Sequence, residues 1–299
     1  MTSAQGKTVD IDEIAIIAPG NMGAGLAARA RAAGLRVRTL LAGRSDATRS
    51  RAEAAGMEDA SAAEIAACPL ILSVVPPGRA RTLAEELAPA LSASTSKPLF
   101  VDCNAVSPDT VKEIGAIIDE TGADFADAGI IGLPPRSDGP LPVIYVSGAH
   151  AGRVARLNQG GLDIRVLDGP VGAASTLKMC YAGIGKGLTA LASAMILAAE
   201  RAGAGEALRA EMERSQKTLL NRLDGSIPDM FPKAYRWVAE MEEISGFLGT
   251  DRPESEIYRG MAGFYEQLAA DVAEAGPEVE ALKTFLARHE NASGKKPGN

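Results

Sequence analysis

A chain of 299 residues is long enough for about two domains with a sizeable core. Its formal net charge of −7 argues against a nucleic-acid-binding surface as its main business. Its three cysteines (Cys68, Cys103, Cys180) lack CxxC spacing, and with only His150 and His289 as histidines they leave little for a disulfide framework, a metal cluster or a Ser-His-Asp triad.

Residues 1 to 12 are polar and lack an apolar h-region, so no signal peptide is expected and the chain reads as cytoplasmic. Residues 14 to 25 (IAIIAPGNMGAG) then form a short apolar strand that runs into a glycine turn and an alanine-rich helix from Leu26 to Ala33. That order suits a pyrophosphate-binding βα turn, because glycines admit phosphate to the backbone and the helix offers free N–H groups at its positive end. Ala18 stands where the usual first glycine would, and Gly20 and Gly23 occupy the second and third places. Pro19, Gly20, Asn21, Met22 and Gly23 are the candidate cofactor-binding residues of this turn.

A second strand, Val37 to Ala42, leads to Gly43, Arg44 and Ser45. An acid at this strand end would hold the ribose 2′-hydroxyl of NAD, whereas arginine with a small hydroxyl residue meets the 2′-phosphate of NADP. Arg44 and Ser45 therefore predict NADP(H); the plainer alternative is a solvated arginine in a βα loop.

Alternation continues with a helix at Ala62 to Ala67, a strand from Leu70 to Val75 ending at Pro76 and Pro77, and a helix from Ala80 to Leu91 with Leu83, Leu87 and Leu91 on one face. Leu99 to Asp102 is the next strand, and Ser107-Pro108 opens a helix to about Thr121. Phe125 to Asp127 begins a strand that leads into a loop from Gly129 to Pro140. Pro142 to Gly148 and Ile164 to Leu167 read as strands around a helix at Gly152 to Leu157. Apolar strands alternating with helices predict a Rossmann-type α/β domain, a doubly wound parallel sheet spanning residues 1–168.

From Gly169 the pattern is helical throughout. The first helix, Ala173 to Ala202, carries only Lys178 and Lys186 as charges before Glu200; those lysines, with several glycines and hydroxyls, fit a buried helix better than a membrane span. Its apolar character predicts burial on most sides, against a partner subunit in a homodimer formed through the C-terminal helices. Further helices are expected at Glu206 to Arg222, Pro228 to Leu248, Ser255 to Glu274 and Pro277 to Glu290. Residues 169–290 thus form an all-α domain for substrate binding or dimerisation, and residues 291–299 a polar tail expected to be disordered. Tyr235, Trp237, Phe247, Tyr258, Phe264 and Tyr265 read as core or dimer contacts, with some able to wall a pocket.

The order of motifs from about Glu13 to Ala202 resembles the superfamily of β-hydroxyacid dehydrogenases and 6-phosphogluconate dehydrogenase. Four stations carry the resemblance: the cofactor turn Gly20 to Gly23 with Met22; Val75-Pro76-Pro77, similar to the family's loop near the nicotinamide ribose; Asp102 to Pro108 (DCNAVSP), similar to Asp-x-Ser-Thr-x-Ser-Pro; and Gly169 to Lys178 (GPVGAASTLK), similar to the glycine-rich approach to the helix bearing the catalytic lysine. The resemblance implies an NAD(P)-dependent oxidoreductase that moves a hydride between nicotinamide and a small hydroxy acid or its oxo form, with Val75, Pro76, Pro77 and Asn104 near the cofactor, Lys178 as proton carrier and no metal. It also places the substrate carboxylate at the loop Gly129 to Arg136, making Gly132, Arg136 and Lys178 candidate substrate-binding residues. Arg136 would clamp an anionic substrate, although Pro134 and Pro135 remove donors and an exposed loop arginine is the commoner case.

Two departures bear on substrate: the motif hydroxyl is Asn104, and the asparagine usual one turn after the lysine is Ala182. They resemble a branch with its own C-terminal helical domain, and that domain is too short for 6-phosphogluconate itself. From the residues alone, Lys178 lies near the start of an apolar helix, where desolvation would lower its pKa; the alternative is a lysine that snorkels or pairs with an acid. Asn104 either orients a substrate carbonyl or hydroxyl, or serves as a turn residue at a strand end. Two other functions remain in view: an NADPH-dependent imine reductase, whose cofactor turn also reads Gly-Asn-Met, and a catalytically silent NADP-binding sensor.

Overall fold

The structure of the chain, a computed structural model, describes residues 11–136 and 139–293. The expectations for residues 1 to 10, for the His289 side chain and for the tail from residue 294 lie outside the described residues. The chain divides into two compact units after Met179. The change in composition at Gly169 comes ten residues earlier. The intervening segment belongs with the sheet, since the Gly148 amide bonds the Gly169 carbonyl and the Gly172 amide bonds Asp127.

The first unit runs β1 (Glu13–Ile17), α1 (Asn21–Ala32), β2 (Arg36–Thr39), α2 (Asp46–Ala54), β3 (Glu58–Asp59), α3 (Ala62–Ala67), β4 (Leu70–Ser73), α4 (Ala80–Ala93), β5 (Leu99–Asp102), α5 (Pro108–Asp119), β6 (Asp124–Ile131), β7 (Val143–Ser147), α6 (Ala151–Val154) and β8 (Asp163–Val166). The strands form one sheet in the order β3-β2-β1-β4-β5-β6-β7-β8, a doubly wound Rossmann-like arrangement. Side chains alternate across it: Ile14 and Ile16 join one buried cluster, Ala15 and Ile17 the other. The strand order reverses at β1 and β4, which places the crevice for a ligand outside their carboxyl ends.

The sheet is not wholly parallel. β6 and β7 pair antiparallel, and Gly129 to Ile131, expected in a loop, continue β6 to Ile131. The proline-rich connection between them holds no crossover helix among its described residues, and the antiparallel pairing makes the two strands a hairpin. The α2 and β3 elements escape the periodicity because α2 buries only Ala52 and both β3 residues are exposed. Elsewhere the local signals hold: α4 buries Leu83, Leu87 and Leu91, and Ser107 caps α5 by accepting from the Thr110 amide.

The second unit is helical. Its elements are α7 (Ala173–Arg201, whose start belongs to the first unit), α8 (Gly205–Ser215), α9 (Lys217–Met230), α10 (Ala234–Leu248), α11 (Pro253–Glu274) and α12 (Pro277–Ser293). The single helix expected over Glu206 to Arg222 breaks at Gln216, whose ψ of 37° leaves helical geometry. Pro228 closes α9 instead of opening the next helix, which starts after a short turn at Phe231–Lys233. α12 extends to Ser293, three residues into the expected tail. Trp237 and Tyr265 are buried in edge-to-face contact at 5.3 Å, and the Tyr265 hydroxyl donates to the Lys186 carbonyl at 2.6 Å. Tyr235, in contrast, is exposed.

Burial of α7 on most sides does not occur within the described chain. One flank is packed: Gly183 and Gly187 leave room for Tyr258 and Met261, and Lys186 pairs with Glu240. By length and composition the helix could cross a membrane, and 44% of its most apolar window is buried within the described chain. Tyr181, Ile184, Leu191 and Met195 are each more than half exposed.

Candidate functional site

The glycine turn is built to bring a backbone close to something outside it. A Cβ on Gly23 would collide with the Ala18 carbonyl oxygen, so α1 can sit this tightly on β1 only with glycine there. A Cβ on Gly20 would meet nothing within 4 Å, which leaves open space over the turn. Gly20 is the N-cap of α1; among the described residues no side chain caps the helix, and no acidic residue lies in its first turn. The first amides of α1 can therefore meet an anion, and the turn fits a dinucleotide pyrophosphate. Pro19 is buried and holds its carbonyl toward the Arg51 guanidinium at 3.1 Å, a tie from α2 that sequence reading did not find.

At the end of β2, Arg44 is half-buried and Ser45 exposed at the N-cap of α2, its hydroxyl 3.1 Å from that of Thr48. Arg49 crosses behind them, donating to the Arg44 and Leu41 carbonyls. Asp59 accepts from the Leu41 amide beside the strand end at 3.0 Å.

The carboxyl edge of the sheet carries a row of polar residues. Ser73, Asp102, Asp127 and Ser147 are in register across β4, β5, β6 and β7, and all four are fully buried. Asn104 attaches to this row. Its Nδ2 donates to Ser73 Oγ and to Asp102 Oδ2, each at 2.8 Å, while its Oδ1 accepts the Val75 amide at 2.7 Å. Its own amide donates to Asp102 Oδ1 at 3.0 Å. The Asn104 side chain thus spends its polar atoms on the protein and braces the Val75-Pro76-Pro77 loop; of its two readings from sequence, the geometry favours the turn residue. Burial pushes the Asp102 carboxyl up to about 7 against the pull of its Asn104 bonds, and neighbouring Asp127 pushes the same way.

Further along, Asp127 binds the start of α7, and Lys178 lies one turn beyond that contact. Lys178 Nζ donates to the Ile130 carbonyl at 2.6 Å, and among the described residues no carboxylate pairs with it. Burial holds its ammonium below the usual lysine range. A Cβ on Gly129 would come within 3.0 Å of the Lys178 Cβ and 2.8 Å of the Ala174 carbonyl oxygen, so β6 admits the helix only because that residue is glycine. Ala182, one turn past Lys178, is buried and offers no polar group.

The structure places the remaining candidates less centrally. Gly132 takes φ +132° where a Cβ would meet Pro142 at 2.9 Å, which gives it a structural reason to be glycine. Pro135 packs on α1 at Gly25, and Arg29 donates to the Gly139 carbonyl, so this loop is tied to the first helix. Arg136 is exposed on it. Sequence reading missed Ser73, Asp127, Ser147 and Ser175; each reads as an ordinary polar residue at an element end until the strand register brings the row together.

Comparison with known proteins bears on the fold and its two parts. Residues 13–155 match the NAD binding domain of 6-phosphogluconate dehydrogenase, and residues 199–268 match a domain of unknown function, DUF1932. An uncharacterized 28.5 kDa protein of Methanothermus fervidus is 31% identical over 153 residues, which cover 51% of this chain and 59% of that protein. A solved protein described as structurally similar to 3-hydroxyacid dehydrogenases is 28% identical, with TM-score 0.69 over 89% of this chain and 99% of that one. The 3-hydroxyisobutyrate dehydrogenase of Mycobacterium tuberculosis shares the fold at 20% identity, with TM-score 0.70 over 92% and 99% of the two chains. The chain therefore joins an NAD(P)-binding domain like that of 6-phosphogluconate dehydrogenase to a C-terminal helical region that carries the DUF1932 domain, in a fold similar to that of 3-hydroxyacid dehydrogenases.

Proposed function

We propose that the protein is an NADP(H)-dependent oxidoreductase that interconverts a small hydroxy acid and its oxo form, acting as a cytoplasmic homodimer. The observation that carries the catalytic part is Lys178: an amine held at 2.6 Å by the Ile130 carbonyl, without a carboxylate partner among the described residues and with its ammonium destabilised by burial. Such an amine can take a proton from a substrate hydroxyl in one direction and return it to a developing alkoxide in the other. The nicotinamide would supply or accept the hydride. Gly20, Asn21, Met22 and Gly23 would hold its pyrophosphate on the amides at the start of α1, and the Val75-Pro76-Pro77 loop, braced by Asn104, would line the ribose beside it. Arg44 and Ser45 supply charge and hydroxyl for a 2′-phosphate. Arg136 would favour an anionic substrate. The three free thiols suit a reducing compartment.

The test is a panel of hydroxy acids, aldehydes, amino alcohols and cyclic imines assayed with NADPH and NADH. Lys178→Ala is expected to keep NADPH affinity while turnover falls on the order of a hundredfold or more; unchanged turnover would remove Lys178 from the chemistry. Arg44→Ala is expected to weaken NADPH by about 1.5–3 kcal/mol and NADH little; equal losses would sink the 2′-phosphate assignment. Turnover confined to cyclic imines would favour imine reduction, and none at all a sensor.

A further inference from the structure

Asp127 is fully buried in the middle of the polar row, and its carboxylate accepts four hydrogen bonds. Three come from the approach to α7: the Gly172 amide at 2.9 Å, the Ser175 amide at 3.0 Å and the Ser175 hydroxyl at 2.6 Å. The fourth is the Ser147 hydroxyl at 3.1 Å, which in turn accepts the Ala174 amide at 3.0 Å. Two strands therefore hold three amides at the start of the helix. The helix has no acidic residue of its own in its first turn. A helix start that needed only satisfied donors could use a local, solvated cap, at far smaller desolvation cost than a buried carboxylate. The arrangement found here does something a local cap cannot: it fixes where the helix sits on the sheet.

The same strand finishes the job. Within four residues β6 presents Asp127 to the helix start, Gly129 to its close approach and the Ile130 carbonyl to the Lys178 ammonium. We propose that Asp127 is a positioning residue for Lys178: its carboxylate locks the first turn of α7 onto β6, and this aims the amine. The inference rests on the reading of Lys178 as proton carrier. Ser175 and Lys178 are one helical turn apart, so a tilt at the first turn carries directly to the amine, and displacements near 1 Å can cost on the order of a hundredfold in rate.

Geometry and charge can be separated. Asp127→Ala removes all four acceptor contacts. In Asp127→Asn, the amide oxygen can still accept the Gly172, Ser175 and Ser147 donors, and its nitrogen can donate to the Ser175 hydroxyl after that hydroxyl rotates. Two readouts are needed: kcat and KM with NADPH, and the pH dependence of acetic anhydride labelling at Lys178, followed by mass spectrometry of its peptide. The second does not depend on turnover. Asp127→Ala is expected to lower kcat on the order of a hundredfold with cofactor KM little changed, and to shift Lys178 labelling to the pH range of surface lysines. Asp127→Asn is expected to restore both to within several-fold of the parent. Should Asp127→Ala fail to fold, Ser147→Ala removes one donor and strands the Ala174 amide, and is expected to move both readouts in the same direction to a smaller degree. Parent-like labelling in Asp127→Ala, or in Ser147→Ala if only that folds, would overturn the inference, as would failure of Asp127→Asn to restore it. Altered labelling with unchanged turnover would instead leave Asp127 positioning an amine that does not carry the proton, so the two readings fail separately.

Discussion

Replacing Asn104 by alanine decides between the two roles that its place in the motif leaves open. The side chain makes three hydrogen bonds, to Ser73, to Asp102 and from the Val75 amide, at 2.7 to 2.8 Å. Each is worth about 0.5–1.5 kcal/mol net, and more where a buried partner is left without a bond. With the residue only 3% exposed, the loss sums to roughly 2–4 kcal/mol, which lowers Tm by about 4–16 °C for a unit of this size. The Val75 amide is released at the same time, so the loop beside it loosens. Differential scanning calorimetry, cofactor titration by fluorescence and steady-state kinetics together read the result. Asn104→Ala is expected to lose stability and cofactor affinity while the pH profile of kcat stays where it is. A variant as stable as the parent, binding NADPH normally but with kcat reduced a hundredfold, would refute this account and put the Asn104 amide on the substrate.

Two further outcomes are expected. The Asp102 carboxyl is held up to about 7 when folded, against 3.8 in its ordinary state. Between those values the unfolded chain has released this proton and the folded chain keeps it, so this group's contribution makes stability fall as pH rises from about 4 to about 7, then level off. The drop from pH 5 to 7 is on the order of 2–3 kcal/mol; urea titrations of the parent and Asp102→Asn should differ by that slope, and parallel curves would remove Asp102 from the titration. On α7, Tyr181, Ile184, Leu188, Leu191, Met195 and Ala198 follow a 3-4-3-4-3 spacing, the seam of two paired helices. Leu191→Glu with Met195→Glu is expected to turn a dimer into a monomer in sedimentation equilibrium at micromolar concentration, and a parent that already sediments as a monomer would refute pairing through this seam.

The glycine turn of the candidate cofactor site was legible because its determinants are contiguous. The strand, Gly20, Gly23 and the uncapped helix follow one another, and the collision of a Gly23 Cβ with the Ala18 carbonyl is settled within six residues. Lys178 was legible through the resemblance and through its apolar surroundings. The polar row was not, because it depends on strand register. Ser73, Asp102, Asp127 and Ser147 come from four strands separated by helices and loops, and only the order β4-β5-β6-β7 makes them neighbours. The hairpin that turns β7 against β6 was hidden for a related reason. Gly129, Gly132 and the prolines around them read as loop, whereas Gly129 is a strand residue whose missing side chain makes room for a helix.

The row also explains how a site assembled from distant segments can act as one piece. On its β5 side, Asp102 anchors Asn104 and through it the loop proposed to lie at the cofactor ribose. On its β6 side, Asp127 anchors the helix that carries Lys178. The two carboxyls are register partners on adjacent strands, and Asp127 makes a charge on Asp102 harder to hold. The pairing of Asp102 with Asp127 thus ties the cofactor loop and the lysine helix through the sheet. Buried carboxyls are costly, and two side by side more so. Both are retained where the sheet must hand its rigidity to a loop and to a helix at once, which a row of apolar residues, having no donors or acceptors to offer, could not do.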